Sequence, residues 1–251
     1  MTDEPLLAEA HANLAMWARV YAEHNGARTA SDAGLLLASL PFPYPGFRTA
    51  LVTGDVEERS LGAARDFFAG DPEIFVFFAR EQDVPLLSGP GVFELFQPPQ
   101  MVCIERVAEP DSGGADVFIS TDRDDLREYA AVAGGAFADL DFPADQTTAS
   151  LDRPSLVEDD RVALGVAKID GRVVAGALSI TQDGGSYISY VAANGDARRR
   201  GLGDAVTRLV TNAGFDRGAR FASLEASPFG YGVYERMGYR EIRKYSLLVV
   251  T

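Results

Sequence analysis

The chain has one cysteine, Cys103, in 251 residues, so no disulfide can close within it and no thiolate-based metal site can be assembled. Histidine is nearly as scarce. His11 and His24 are the only two, and both fall in one helix-patterned stretch, which removes histidine-ligated zinc and a serine–histidine triad. Long apolar runs are missing as well: stretches such as IFVFFA, from Ile74, fall far short of the roughly 20 residues a membrane-spanning helix needs. The start, MTDEPLLAEAHANLAMWARV, is acidic and mixes polar with apolar residues at helical spacing, unlike the basic opening of a secretory leader, so the expected location is the cytoplasm. Lysine is confined to Lys168 and Lys244, and the net charge is -14. That field repels polyanions and anionic lipid surfaces. Neither nucleic acid nor a membrane is an expected partner, no metal is expected, and any bound anion must be held by a local cluster.

What is present is an ordinary globular composition, 47% hydrophobic and 24% charged, with enough length for one large or two ordinary domains. Leu6, Ala10, Leu14, Trp17 and Tyr21 share one helical stripe, predicting an amphipathic helix over about residues 4–24 with both aromatics toward a core. GLLLASL and FRTALVT then read as strands, VEERSLGAARDFFAG as a helix and IFVFFAR as a strand. The stretch EPDSGGAD (109–116) gathers proline, serine, glycine and acids and is read as a linker, dividing the chain into 1–112 and 113–251. Beyond it, RVALGVAKI and RVVAGALSI flank Asp170-Gly171, the pair that favours a type I′ hairpin. SYISYVAA supplies a third strand, a helix follows from about Gly203, and FASLEAS, a short helix from Pro228 and REIRKYSLLVV complete the order. The fold class expected is α/β (α+β): mixed, mainly antiparallel sheets flanked by helices.

The segment Ala197 to Val206, ARRRGLGDAV, sets three arginines and two glycines between a strand and a helix in an otherwise acidic chain. A helix start leaves its first N–H groups without intrahelical partners, at the positive end of the dipole. Gly201 and Gly203 let a phosphate approach that backbone, and Arg198, Arg199 and Arg200 supply charge-assisted hydrogen bonds. A solvated basic turn is the alternative. Neither a P-loop nor a three-glycine dinucleotide fingerprint is present.

Arg198-Arg199-Arg200-Gly201-Leu202-Gly203 resembles the Gln/Arg-x-x-Gly-x-Gly/Ala acyl-CoA loop of the GNAT superfamily of N-acetyltransferases. The likeness extends upstream through YVAANGD and downstream through LEASPFGYGVYERMGYREI, covering roughly residues 115–251. It implies acetyl-CoA as cosubstrate. The backbone of Val191, Ala192 and Ala193 would bond the pantetheine arm as an added strand does, and Arg198 to Asp204, including Leu202, would hold the diphosphate. Ser227 and Tyr234 would sit near the thioester, with Tyr234 as the general acid that protonates the departing sulfur.

Ser227 before Pro228 reads independently as a helix start, and Gly230 and Gly232 inside a short helix would each cost about 1 kcal/mol, so something must approach them closely. Tyr234 is read either as that acid or as a core aromatic. Glu225 and Tyr190 are candidates for a base that accepts the amine proton or for a group that holds a water; an ion pair for Glu225 and sheet packing for Tyr190 are the alternatives.

In the first half no such loop occurs, yet SGPGVFELFQ (88–97) echoes SPFGYGVYERMG, with Phe93 against Tyr234. The expectation is a tandem chain: a degenerate GNAT-like unit, 1–112, then the acetyl-CoA-binding unit, 113–251, with QMVCIERV (100–107) as a strand that could complete the second sheet. An unrelated α/β cap is the other reading of the first half. The implied activity is N-acetyl transfer to a small-molecule or peptide amine by direct attack, from a monomer or homodimer. A non-catalytic acyl-CoA sensor or protein-interaction module is the competing function.

Overall fold

The computed structural model describes residues 3–70, 74–197 and 200–251. Two compact units emerge: residues 1–100 with 241–251, and residues 101–240.

The first unit opens with α1 (Asp3–His24), whose Leu6, Ala10, Leu14 and Tyr21 are buried as the stripe predicts. Trp17 stacks on Tyr21 with ring centroids 5.3 Å apart. Three antiparallel strands follow, β1 (Arg28–Asp32), β2 (Leu35–Ser39) and β3 (Arg48–Val52). β1 is largely exposed and polar, RTASD, which is why no apolar alternation marked it. Then come α2 (Ser60–Phe68), β4 (Phe75–Arg80) pairing parallel to β3, the short α3 (Val84–Leu87) and β5 (Val92–Phe96). The residues of the SGPGVFELFQ echo therefore form a strand rather than a helix, and Phe93 is 61% exposed. The local likeness to the Tyr234 segment therefore does not extend to secondary structure: 92–96 is a largely exposed strand, whereas Tyr234 lies in a short helix.

Chain 99–120 supplies β6 (Pro99–Cys103) and β7 (Asp116–Ser120). The second unit continues with α4 (Arg123–Ala138), α5 (Ala144–Leu151), α6 (Ser155–Glu158), and the antiparallel β8 (Val162–Ile169), β9 (Arg172–Gln182) and β10 (Gly185–Ala193). Asp170 and Gly171 both have positive φ, 50° and 76°, as the predicted I′ turn demands. α7 (Leu202–Asp216), β11 (Phe221–Glu225) parallel to β10, α8 (Tyr231–Met237) and β12 (Arg240–Val250) end the chain.

The sheet of the second unit runs β6-β11-β10-β9-β8-β7. Along β9, Ala175 and Ala177 join the core that Val206 and Val210 of α7 build, whereas Gly176 between them meets Tyr129 of α4. Period-2 alternation thus sets α4 and α7 on opposite faces. QMVCIERV does supply a strand: Met101, Cys103 and Val107 lie in this unit's core, with β6 beside β11. Val107 is fastened to α7 by two hydrogen bonds, its N–H to the Asn212 side-chain oxygen and its carbonyl accepting from the Asn212 amide, both 3.1 Å.

The two compact units meet in sequence at 100/101, and residues 109–115 lie between β6 and β7 inside the second. β12 pairs antiparallel with β4 and with β5, and its Leu248 and Val250 enter the first unit's core beside Phe75 and Phe77. Both units contain one succession, three antiparallel strands, a helix, a strand parallel to the third and a short helix; a single helix, α1, precedes it in the first unit, and β7 and three helices, α4 to α6, precede it in the second. The parallel pairing is three residues long in both, Thr49–Leu51 with Val76–Phe78 and Gly185–Tyr187 with Phe221–Ser223.

Candidate active site

β10 does not stay regular. It pairs with β9 through Ser189↔Leu178 and resumes at Ala192↔Gly176, so Tyr190 and Val191 face the single residue Ala177 in a bulge. Tyr190 takes φ +51°, a left-handed conformation that costs a non-glycine residue of order 1 kcal/mol and persists only where its surroundings enforce it. Those surroundings are specific. The fully buried Tyr129 hydroxyl on α4 donates to the Tyr190 carbonyl at 2.8 Å, and the Phe137 ring lies 5.2 Å from the Tyr190 ring. Burial drives the Tyr129 phenol well above its ordinary range, so it remains a donor. Its ring fits because position 176 is glycine: a Cβ there would come within 2.4 Å of Tyr129 Cδ2.

The bulge coincides with the end of β10–β11 pairing, at Tyr187↔Ser223. Beyond that point a cavity of about 400 Å³ lies between the strands. Ile188 to Ala193 wall one side, and Leu224 and Glu225 the other. Ser227, Phe229 and Tyr234 line it as well, as do Ala136, Phe137, Asp139 and Leu140, where α4 stops. The structure therefore brings Val191, Ala192, Ala193, Glu225, Ser227, Tyr234 and Tyr190 to one hollow.

Glu225 is half-buried and accepts a hydrogen bond from the Tyr187 hydroxyl. Tyr234 is buried, and desolvation pushes its phenol up to about 12, so it holds its proton throughout the neutral range. The Ser227 hydroxyl accepts from the Gly230 N–H at 3.2 Å, while the helix itself begins at Tyr231, with Pro228 to Gly230 forming the turn before it. The group that approaches Gly230 is Tyr234: a Cβ would meet its ring at 2.7 Å. The glycine seats the phenol rather than a ligand. Gly232 has only the Arg236 side chain near it, at 3.4 Å from where a Cβ would stand.

β10 runs through a short 3-10 turn, Gly195–Ala197, toward α7. Arg198 and Arg199 lie outside the described residues. Arg200 is exposed, with Nη2 3.5 Å from the Gly113 carbonyl. Gly201 caps α7 with φ +78°, accessible only to glycine at little cost, and an added Cβ would meet nothing there. At Gly203 the nearest atom would be Val191 Cγ1, 4.0 Å away. Leu202 is buried and anchors the helix start, and Asp204 pairs with Arg208 at 2.6 Å. The first turn of α7 thus presents its amides beside Val191 with space over both glycines, as an anion cradle requires.

The residues that sequence reasoning missed are Tyr129, Tyr187, Phe137, Asp139, Phe229 and Gly176. Tyr187 had a usable signal. In parallel register with Ser223 it shares a sheet face with Glu225, two residues further on. Among the described residues no group of three or more His, Cys, Asp or Glu could hold a metal ion, and no helix is long and apolar enough to cross a membrane.

Three solved structures share the fold across most of the chain. A GCN5-related N-acetyltransferase from Kribbella flavida is 21% identical, with 93% of this chain and 95% of that one covered and a TM-score of 0.69. A putative acetyltransferase of the GNAT family from Novosphingobium aromaticivorans is 21% identical over 88% and 90%, TM-score 0.60. A GCN5-related N-acetyltransferase from Sphaerobacter thermophilus is 17% identical over 86% and 76%, TM-score 0.60. No curated protein matches the chain in sequence. Residues 126–239 match the model of the family described as "Acetyltransferase (GNAT) family", a span that holds the bulge, the cavity, the α7 cradle and Tyr234. Residues 126–239 therefore carry a GNAT acetyltransferase domain.

Proposed function

We propose that the protein is an acetyl-CoA-dependent N-acetyltransferase that works by direct attack of an amine. The observation that carries this reading is the juxtaposition of three features around one cavity: the bulged β10, whose register with β11 ends at Tyr187, the open amide cradle at Gly201–Gly203, and the buried phenol of Tyr234. These residues fit the cosubstrate. The backbone of Val191, Ala192 and Ala193 would hold the pantetheine arm, and Arg198 through Asp204 the diphosphate. When bound, acetyl-CoA supplies an activated acyl group.

An alkyl ammonium with a pKa near 10.4 is under about one part in a thousand free base at pH 7, so the site must accept a proton. Glu225, half-buried at the cavity wall and steadied by Tyr187, is placed to do this directly or through a water. Tyr234 remains protonated and donates toward the leaving sulfur, regaining its proton from solvent after release. Ser227 fixes the turn that carries Phe229 and, through Gly230, the seat of Tyr234. The repeated helix-strand succession in residues 1–100 supports a second, degenerate unit of the same architecture.

Calorimetry with acetyl-CoA tests the reading. Micromolar-range binding is expected, weakened about tenfold or more by Gly203→Asp, which sets a carboxylate at the cradle. Absence of binding at millimolar ligand overturns it.

A further inference from the structure

Resting on the acetyl-transfer reading, we infer that the acceptor is a small amine that enters as a cation, carries an apolar, preferably aromatic, group close to its nitrogen, and bears no carboxylate beside it. Electrostatics and shape in the cavity both point this way. Its walls hold two carboxylates, Glu225 and Asp139, and among the described residues lining it there is no lysine, arginine or histidine. The 16-residue α4 ends at this wall, and its last carbonyls add the negative end of the helix dipole. An ammonium is favoured by all three, and an anionic group on the acceptor is opposed by all three. The excess of acid over base in the whole chain acts in the same direction at longer range.

The remaining surface is apolar and aromatic. Phe137 and Tyr190 pack ring to ring along one wall, with Leu140 next to them. Phe229 projects from the Pro228–Gly230 turn with 80% of its surface exposed, an unusual position for a phenylalanine in a wall. Three rings bordering a carboxylate-bearing hollow suit a cation attached to a flat apolar body, through both burial and cation–π attraction. The hollow of about 400 Å³ is near the lower end of the range for small-ligand sites and, since Val191 to Ala193 and Tyr234 also line it, must hold the acetyl end of the cosubstrate too; the room left for an acceptor favours a small molecule over a polypeptide.

The reaction balances without a further reagent. The ammonium loses one proton to Glu225 and on to solvent, and the free amine nitrogen then forms the C–N bond; as the C–S bond breaks that nitrogen gives up a second proton, the sulfur leaves as a thiol with the proton from Tyr234, and the second proton restores the Tyr234 phenol through solvent, so one proton is released in all.

The test compares 2-phenylethylamine, butylamine, phenylalanine and a short peptide with a free N-terminus. Binding of each to CoA-saturated protein is measured by calorimetry, and acetylation by thiol release. Phenylethylamine should bind and react with a kcat/KM about 100-fold above phenylalanine and about tenfold above butylamine. Phe229→Ala should raise its KM about tenfold with kcat within a factor of two, and Asp139→Asn should raise KM for every cationic amine. Phenylalanine or the peptide matching phenylethylamine overturns the inference, as does acetyl-CoA binding with no amine either binding or reacting. Failure of acetyl-CoA itself to bind removes the underlying function instead, so the two failures are separable.

Discussion

Tyr234 and His11 show how far burial can move a single titration. The Tyr234 phenol is lifted to about 12 by desolvation and so is fully protonated up to about pH 11. Turnover should therefore rise with pH as the amine deprotonates, and no alkaline decline should set in below pH 10. Tyr234→Phe should lower kcat about 100-fold or more while acetyl-CoA affinity, read by calorimetry, changes little. In the first unit, His11 is buried with Nδ1 2.7 Å from the Tyr245 hydroxyl, and its pKa is lowered to about 4, by burial first and by Arg243 second. An unfolded chain takes up this proton near pH 6.5 and the folded one only near 4. Stability is thus complete above pH 6.5 and declines as pH falls toward 4, by about 3 kcal/mol for this group. Urea unfolding at pH 7 and 4.5 should show that slope in the native protein and a flatter one in His11→Gln. An unchanged slope would assign the acid sensitivity to other groups.

The bulge in β10 is an assembly of elements more than a property of its own sequence. Tyr129→Phe leaves the Tyr190 carbonyl without its buried donor and should cost about 1–2 kcal/mol. Gly176→Ala drives a methyl into the Tyr129 ring and should cost about 1–3 kcal/mol. Both should weaken acetyl-CoA binding more than an equally destabilising change remote from the cavity, such as Asp122→Ala. Asp122 caps α4 by accepting from the Asp124 N–H at 2.7 Å, and its loss is worth about 1 kcal/mol. Melting temperatures set beside calorimetric affinities separate the two effects. This explains what was legible beforehand. The meander, the hairpin at Asp170-Gly171, the arginine-glycine helix entrance and the phenol at 234 are all written locally, in periodicity, turn chemistry and spacing. The bulge, the Tyr129 strut and the Tyr187–Glu225 contact depend on residues 38 to 61 positions apart, and no local pattern announces them.

At the scale of the molecule, the position of β6 and β12 decides which piece of the chain can stand alone. A fragment 101–240 keeps Met101, Cys103 and Val107 in its core. A fragment 113–251 loses all three, leaves β11 with an open edge and carries β12 without β4 or β5 to pair it. The first should melt cooperatively and the second should aggregate, as circular dichroism and gel filtration will show. Two signals that agreed in the sequence, a polar glycine-rich stretch and the start of a family-like region, both pointed near 112. Neither could reveal that 100–107 and 241–251 are each bonded far from their neighbours in sequence. The placement of β12 also sets a timetable on the ribosome. The N-terminal unit, though made first, lacks a strand until residues 241–251 have been made and have cleared the exit tunnel, so a truncation before residue 241 would cripple residues 1–100 as well as removing β12.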